Sequence, residues 1–346
     1  MLKWYEQNTN NHDVVISTRI RLARNLKNYP FGNMLLQDKA VELTQEVKKG
    51  FLNQSESVNH FFEFYNINDL QNVDKIALVE RHVISPLIVK KEAATGLILS
   101  KDESLSIMVN EEDHLRIQSI VQGMNIKKAL EEANRLDDLL ESYLQYAFDE
   151  KYGYLTACPT NVGTGLRSSY MIHVPALETT GKLQIILDAI GKFGITVRGI
   201  YGEGTQGEGS VFQISNQITL GQSEEEIIDN LNSITNQIVE QERKVRENLF
   251  KEKKHQLEDK IYRSYGILKN ARILTSKEAM SFLSDLKIGV EMGIIKFKSE
   301  EYFNIYELMM SIQPANLQKN SSKEMVVEDR DVERATFIRN NLPKIK

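Results

Sequence analysis

Residues 96–116 read GLILSKDESLSIMVNEEDHLR, and this stretch decides the fold class. Two β-type runs, GLILS and SLSIMVN, flank the polar turn Lys101-Asp102-Glu103, which predicts a hairpin and antiparallel pairing. Further β-type runs surround it across residues 13–220: VVISTRIRL, KIALVERHVI, YGYLTA, RSSYMIHV, ITVRGIY and SVFQIS. Helical patterns lie between them at roughly 37–56, 115–149 and 178–193. The expectation is an α+β fold, a mainly antiparallel sheet with helices packed on one face.

The pattern changes at Gly221. Ser223 and Glu226 make a capping-box signature, and Ile227, Leu231, Ile234, Ile238, Val245 and Leu249 follow at helical spacing. Twelve of the twenty residues in 241–260 are charged, which predicts a solvated helix face or a seam between domains or subunits. Thr275 and Glu278 cap another run, a further one spans 299–312, Pro314 breaks it, and the last twenty residues resume helical spacing. The predicted domains are therefore 1–221, α+β and carrying the chemistry, and 222–346, all helical.

With 346 residues, 41% apolar and 26% charged, and no long apolar run, the chain is neither disordered nor fibrous and has no predicted membrane helix. The start lacks the pattern of a signal peptide and a single cysteine allows no internal disulfide, so a reducing, cytoplasmic setting is expected. A net charge of −5 gives no general grip on nucleic acid; a polyanion must meet a local site.

Four constellations could build one. In Ser17-Thr18-Arg19-Ile20-Arg21, strand alternation puts both arginines on one face, either to share an anion or to keep an edge strand soluble. Glu111-Glu112-Asp113 follows a strand and precedes Arg116; adjacent carboxylates raise one another's proton affinity and suit a general base or a cation site, or complement a helix dipole. Cys158 sits in the loop CPTNVGTGLR, ending at Arg167, rather than in an apolar run. Residues 198–209, RGIYGEGTQGEG, hold five glycines, as a flap closing over a ligand would, yet lack the lysine of a phosphate-binding P-loop. Arg19, Arg21, Arg116, Arg167 and Arg198 together suggest a triphosphate held by guanidinium groups.

These motifs, in this order, resemble the phosphagen kinases, the ATP:guanido phosphotransferases. The chain is most similar to the bacterial branch that phosphorylates protein arginines: it reads RGIYGEG, lacks the N-terminal helical domain of the small-molecule enzymes, and carries a helical C-terminal domain. The resemblance implies a phosphagen kinase catalytic fold and ATP contacts from Ser17, Thr18, Arg19, Ile20, Arg21, His82, Arg116, Arg167, Ser168, Ser169, Tyr170, Met171, Arg198, Gly199, Ile200, Tyr201, Gly202 and Glu203. It implies catalytic roles for Glu112, the base, for Glu203 with it on the guanidinium, for neighbouring Glu111 and for Cys158. Mg²⁺ would be held by nucleotide phosphates and water. Arg330-Asp331-Val332-Glu333-Arg334-Ala335 matches the branch's RDxxRA phosphoarginine-pocket motif, which otherwise reads as a charged helix face. Implied partners are protein substrates through exposed arginines, an activator protein, a heat-shock repressor, a Clp ATPase, and a second copy in a homodimer or higher oligomer, with no membrane or nucleic acid. A kinase of small guanidino metabolites and a non-catalytic phosphoarginine-reading adaptor are the alternatives.

Overall fold

The computed structural model describes residues 1–7, 13–200, 207–298, 303–321 and 323–346. Eight strands hydrogen-bond in the order β2-β3-β4-β5-β1-β8-β10-β9. They are β1 (Val15–Arg24), β2 (Phe62–Asn66), β3 (Gly96–Ser100), β4 (Leu105–Val109), β5 (Leu115–Gln122), β8 (Leu166–His173), β9 (Ile195–Gly199) and β10 (Val211–Asn216); β6 (Phe148–Asp149) and β7 (Gly153–Tyr154) form a separate two-residue ribbon. The predicted hairpin is present, with Leu97 opposite Met108 and Leu99 opposite Ser106. β5 pairs antiparallel with both β4 and β1.

The chain divides into two compact units that cut across the 221/222 boundary. Met1–Gln7, Ser17–Ser169 and Ser215–Asn232 form the first; Tyr170–Ile214 and Ser233–Lys346, with the described residues just before Ser17, form the second.

In the first unit helices cover both faces of the sheet, not one as expected. Leu97, Leu99 and Met108 pack on Leu78, Val83, Ile84 and Ile88 of α3 (Asn72–Glu80), α4 (Pro86–Val89) and the link between them. The opposite face, with Ile98, Ile107 and Ile117 fully buried, meets α1 (Gln37–Leu52) and α5 (Ile126–Glu141), while α2 (Glu56–Phe61) leads into β2. Strands covered on both sides lose the polar-apolar alternation that identifies a strand, and every residue of β3 and β4 is buried.

Three sequence expectations change here. Residues 115–122, read as the start of a helix, are strand β5, because β1 and β4 satisfy its backbone on both edges. KIALVERHVI, read as a strand, contributes to helix α3, which ends at Glu80 before a turn. YGYLTA yields only the short β7.

The second unit contains α6 (Pro175–Thr179), α7 (Lys182–Ile190), α9 (Lys254–Asn270), α10 (Ser276–Glu291), α11 (Ile305–Ser311), α12 (Pro314–Lys319), α13 (Val327–Asn341) and most of α8 (Glu224–Glu252). Both predicted capping boxes form, at Ser223 and Thr275. Pro314 starts α12, where a missing N–H costs nothing. The charged run of 241–260 is not all solvated. Glu242 is fully buried, accepting from the backbone N–H of Ala176 and Leu177 at 3.1 and 2.9 Å and from Arg246 Nε at 2.7 Å.

Candidate active site

The alternation of β1 separates its side chains as expected. Ile20 and Leu22 are fully buried, and Thr18 donates to the Gly123 carbonyl at 2.5 Å and accepts from the Asn125 N–H, so these residues serve the core. Arg19 and Arg21 project to the other face, which they share with Arg116 of β5 because Arg116 lies opposite Ala23. Arg167 of β8 joins them electrostatically. Burial first, then Arg19, Arg116 and Arg167, push the Arg21 guanidinium well below its ordinary pKa, with Glu111 opposing. Its Nε is buried and finds no hydrogen-bond partner among the described residues. Crowded cations of this kind are relieved by a multiply charged anion.

The acidic loop between β4 and β5 supplies the opposite charge. Asn110 turns it with φ 61°, its side-chain amide donating to the carbonyls of Ala40 and Ala94. Glu111, 1% exposed, is fully engaged: it accepts from Arg116 Nη1 at 2.6 Å, from Ser85 Oγ and from the Glu112 N–H at 2.7 Å. Glu112 is different. Its side chain is 38% exposed, Arg116 Nη2 stands 3.8 Å away, and burial, helped by Asp113 and Glu111, raises its pKa against Arg116 and Arg167. One carboxylate therefore fixes an arginine while the next is free to take a proton.

A family model described as ATP:guanido phosphotransferase, C-terminal catalytic domain, matches residues 42–245, and one described as Protein-arginine kinase McsB C-terminal domain matches 254–346. The Protein-arginine kinase of Bacillus pumilus is 46% identical over 340 residues, 98% of this chain and 93% of that one. The chain belongs to the protein-arginine kinase family. Among solved structures, the substrate-free duplicated taurocyamine kinase from Schistosoma mansoni aligns with TM-score 0.56 and 27% identity over 66% of this chain, which spans about a third (33%) of that duplicated protein. Lombricine kinase aligns with TM-score 0.59 and 23% identity over 70% of this chain and 69% of its own, a likeness of fold.

In this protein-arginine kinase family member the cysteine loop is tied to the acidic loop. Asp113, the third carboxylate of the acidic run, accepts at 2.6 Å from both the Ala157 N–H and the Asn25 side chain, so the residue before Cys158 hangs from the loop that holds Glu112. His114 next to it accepts from the Leu26 N–H and holds the Pro30 carbonyl through Nε2. Cys158, partly exposed, has its Sγ 3.0 Å from Thr160 Oγ1. Gly165 has φ +65°, and a Cβ there would lie 2.6 Å from the Ala23 carbonyl oxygen, which requires glycine. Asp113→Ala is expected to cost about 1–3 kcal/mol per orphaned donor and to raise KM for the guanidino substrate more than KM for ATP, checked by urea unfolding and initial rates.

The remaining sequence candidates divide. Ser17 and Ser168 are buried; the Ser168 N–H donates to Asn216 Oδ1 at 2.8 Å, and Ser169 Oγ to the Arg19 carbonyl at 3.3 Å. His82 has φ 62°, and burial and Arg19 lower its pKa to about 3. Tyr170 and Met171 belong to the second unit, where Tyr170 is fully buried and Met171 Sδ meets the Tyr306 hydroxyl at 2.9 Å. Arg198, Gly199 and Ile200 are also in that unit, Arg198 exposed on β9. Tyr201, Gly202 and Glu203 lie outside the described residues. Ser85, missed in the sequence, had one signal: it caps α4 just before Pro86.

In the helical region Arg330 and Arg334 of α13 (Val327–Asn341) have different surroundings. Arg334, 2% exposed, donates to the carbonyls of Ile312 and Leu274 at 3.0 and 2.9 Å and pairs with Asp331. Arg330 is half-buried and donates Nη1 to the Met325 carbonyl at 2.8 Å. Ala335 is fully buried, while Val332 and Glu333 reach the surface.

Proposed function

We propose that this chain transfers the γ-phosphoryl group of ATP to arginine side chains of proteins. The carrying observation is the juxtaposition of Glu112, partly exposed and with a raised pKa, with an arginine cluster in which the Nε of Arg21 has no hydrogen-bond partner among the described residues. Arg19, Arg21, Arg116 and Arg167 take the phosphates, joined by Arg198. A guanidinium nitrogen attacks the γ-phosphorus; the N–P bond forms, the bond to the bridging oxygen of ADP breaks, and the nitrogen's proton passes to Glu112. Guanidinium ionises only above about pH 12, so the base and the second carboxylate, Glu203, must make it nucleophilic. Glu111 positions Arg116 and the Glu112 backbone, and Cys158 stands beside the guanidinium.

The donor set suits a metal carried on the nucleotide: Glu111 is occupied by Arg116 and Ser85, and among the described residues no group of three or more His, Cys, Asp or Glu side chains is placed to cage an ion. Mg²⁺ held by phosphates and water supplies charge neutralisation when bound.

The family resemblance supports a wider role: marking proteins for Clp-type proteolysis, control of a heat-shock repressor, dependence on an activator, a homodimer or higher oligomer, and a cytoplasmic setting. No helix among the described residues is long and apolar enough to cross a membrane. The phosphoarginine pocket is then built on Arg330, Asp331, Val332, Glu333, Arg334 and Ala335, with Arg334 anchored by Ile312, Leu274 and Asp331. Free phosphoarginine is expected to raise the initial rate through a coupling of about 1–3 kcal/mol, and Arg330→Ala to abolish that rise. Undiminished stimulation of the variant would leave this segment a charged helix face.

The deciding experiment incubates the protein with ATP, Mg²⁺ and an unfolded arginine-rich protein, then reads acid-labile phosphoarginine by mass spectrometry at neutral pH. Phosphate on small guanidines alone would make the chain a metabolite kinase; binding without transfer would make it an adaptor.

A further inference from the structure

We propose that Trp4 is a positioning residue of the nucleotide site, acting through His82. The proposal rests on the nucleotide reading above and adds to it a segment that none of the four motifs contains. Trp4 is 1% exposed although it lies only four residues into the sequence. Its backbone N–H donates to the Asp102 carbonyl at 2.8 Å, and its indole N–H to the Arg81 carbonyl at 3.3 Å. The indole therefore bridges the β3–β4 turn and the turn after α3. Two ion pairs repeat the link, Lys3 with Glu103 at 3.1 Å and Arg81 with Glu103 at 2.8 Å.

His82 sits inside this clasp. Its ring centroid lies 6.4 Å from that of Trp4, and its carbonyl accepts from Gln118 Nε2 at 3.0 Å, two residues along β5 from Arg116. Its φ of 62° is that of the residue that closes α3: the His82 N–H donates to the Val79 carbonyl and the Val83 N–H to the Leu78 carbonyl, each at 2.9 Å. Trp4 and Gln118 clamp this helix end from outside, each through a backbone carbonyl, Arg81 and His82. They hold an imidazole within electrostatic reach of Arg19, on the side of the sheet where the arginine cluster gathers. A side chain held this way meets a base or ribose without ordering cost, and loses that advantage when the clasp opens.

Trp4 is also the only tryptophan of the chain, so its emission reports on this one turn. ATP titrated into the full-length protein is expected to change the emission saturably, with the midpoint that calorimetry gives for binding. Trp4→Ala is expected to raise KM for ATP about tenfold while KM for the arginine substrate moves less than about twofold. Trp4→Phe, which keeps a ring and loses the N–H, should fall between. Trp4→Ala and His82→Ala should not add when combined, since one acts through the other.

A folded Trp4→Ala with wild-type KM for ATP overturns the proposal. So does unchanged emission at calorimetric saturation, which stands even if the alanine variant does not fold, and so does full additivity. Absence of any ATP binding to the wild type by calorimetry would remove the nucleotide reading itself, an outcome distinct from these three.

Discussion

Glu112→Gln is expected to bind ATP as the wild type does and to lose about 10² or more in kcat. On the proposed reading the nucleotide is held by a cluster of arginines, and Arg116, 3.8 Å from Glu112, keeps its shorter pair with Glu111 at 2.6 Å in the variant, whereas the proton released as the N–P bond forms loses its acceptor. Glutamine keeps the shape of the side chain, so unfolding does not explain the loss. Calorimetric titration with ATP and the initial rate of ADP release separate the two effects, and wild-type turnover would remove Glu112 from the chemistry. A pH dependence accompanies it. Burial, with Asp113 and Glu111, holds the Glu112 carboxyl above the ordinary glutamate range. If Glu112 is the proposed base, the working form is the carboxylate, so activity is expected above that pKa and to fall as pH drops through it, with an acid limb higher than an ordinary glutamate would give.

Arg24→Ala is expected to cost about 3–5 kcal/mol of stability, read as a lower urea midpoint, because it breaks a buried ion pair and strands its partner. Arg24 is 2% exposed; its Nε and Nη2 donate to Asp137 Oδ2 at 3.0 and 2.6 Å, and its Nη1 to the Thr164 carbonyl at 3.0 Å. Its guanidinium carbon lies 3.6 Å from the centroid of Tyr154. Among the described residues Asp137 would keep the hydroxyl of Tyr146, at 2.9 Å, in place of a guanidinium. Arg21→Ala, three residues earlier, should do the reverse, leaving stability within about 1 kcal/mol and weakening ATP binding. Equal destabilisation by both would deny the division of labour within this strand.

That division marks what can be read from a string of residues. In STRIRLAR the arginines look alike in sequence, apart from strand parity, which correctly put Arg19 and Arg21 on one face. Parity says nothing of which residue lies across the sheet or which helix covers it. The burial of Arg24 depends on Asp137, 113 residues away. Neighbouring Glu111 and Glu112 were paired as candidate acid-base groups from their adjacency, but their different work follows from Ser85 and Arg116, which engage one and leave the other open.

The sequence by itself determined the antiparallel hairpin, the long helices with their two capping boxes, and the pairing of an acidic loop with arginine-bearing strands. These are local matters, set by alternation, by turn residues and by side chains that reach their own backbone. Only the tertiary structure decided the rest. Residues 115–122 became a strand because two neighbouring strands complete their hydrogen bonds, and Glu242 entered the interior because α6 offers it two amides and Arg246 a charge. Asn110 turns the acidic loop at positive φ with its amide held by the Ala40 carbonyl, seventy residues away. In each case the deciding partner is far along the chain, and the free energy of burying a polar group turns on whether that partner arrives.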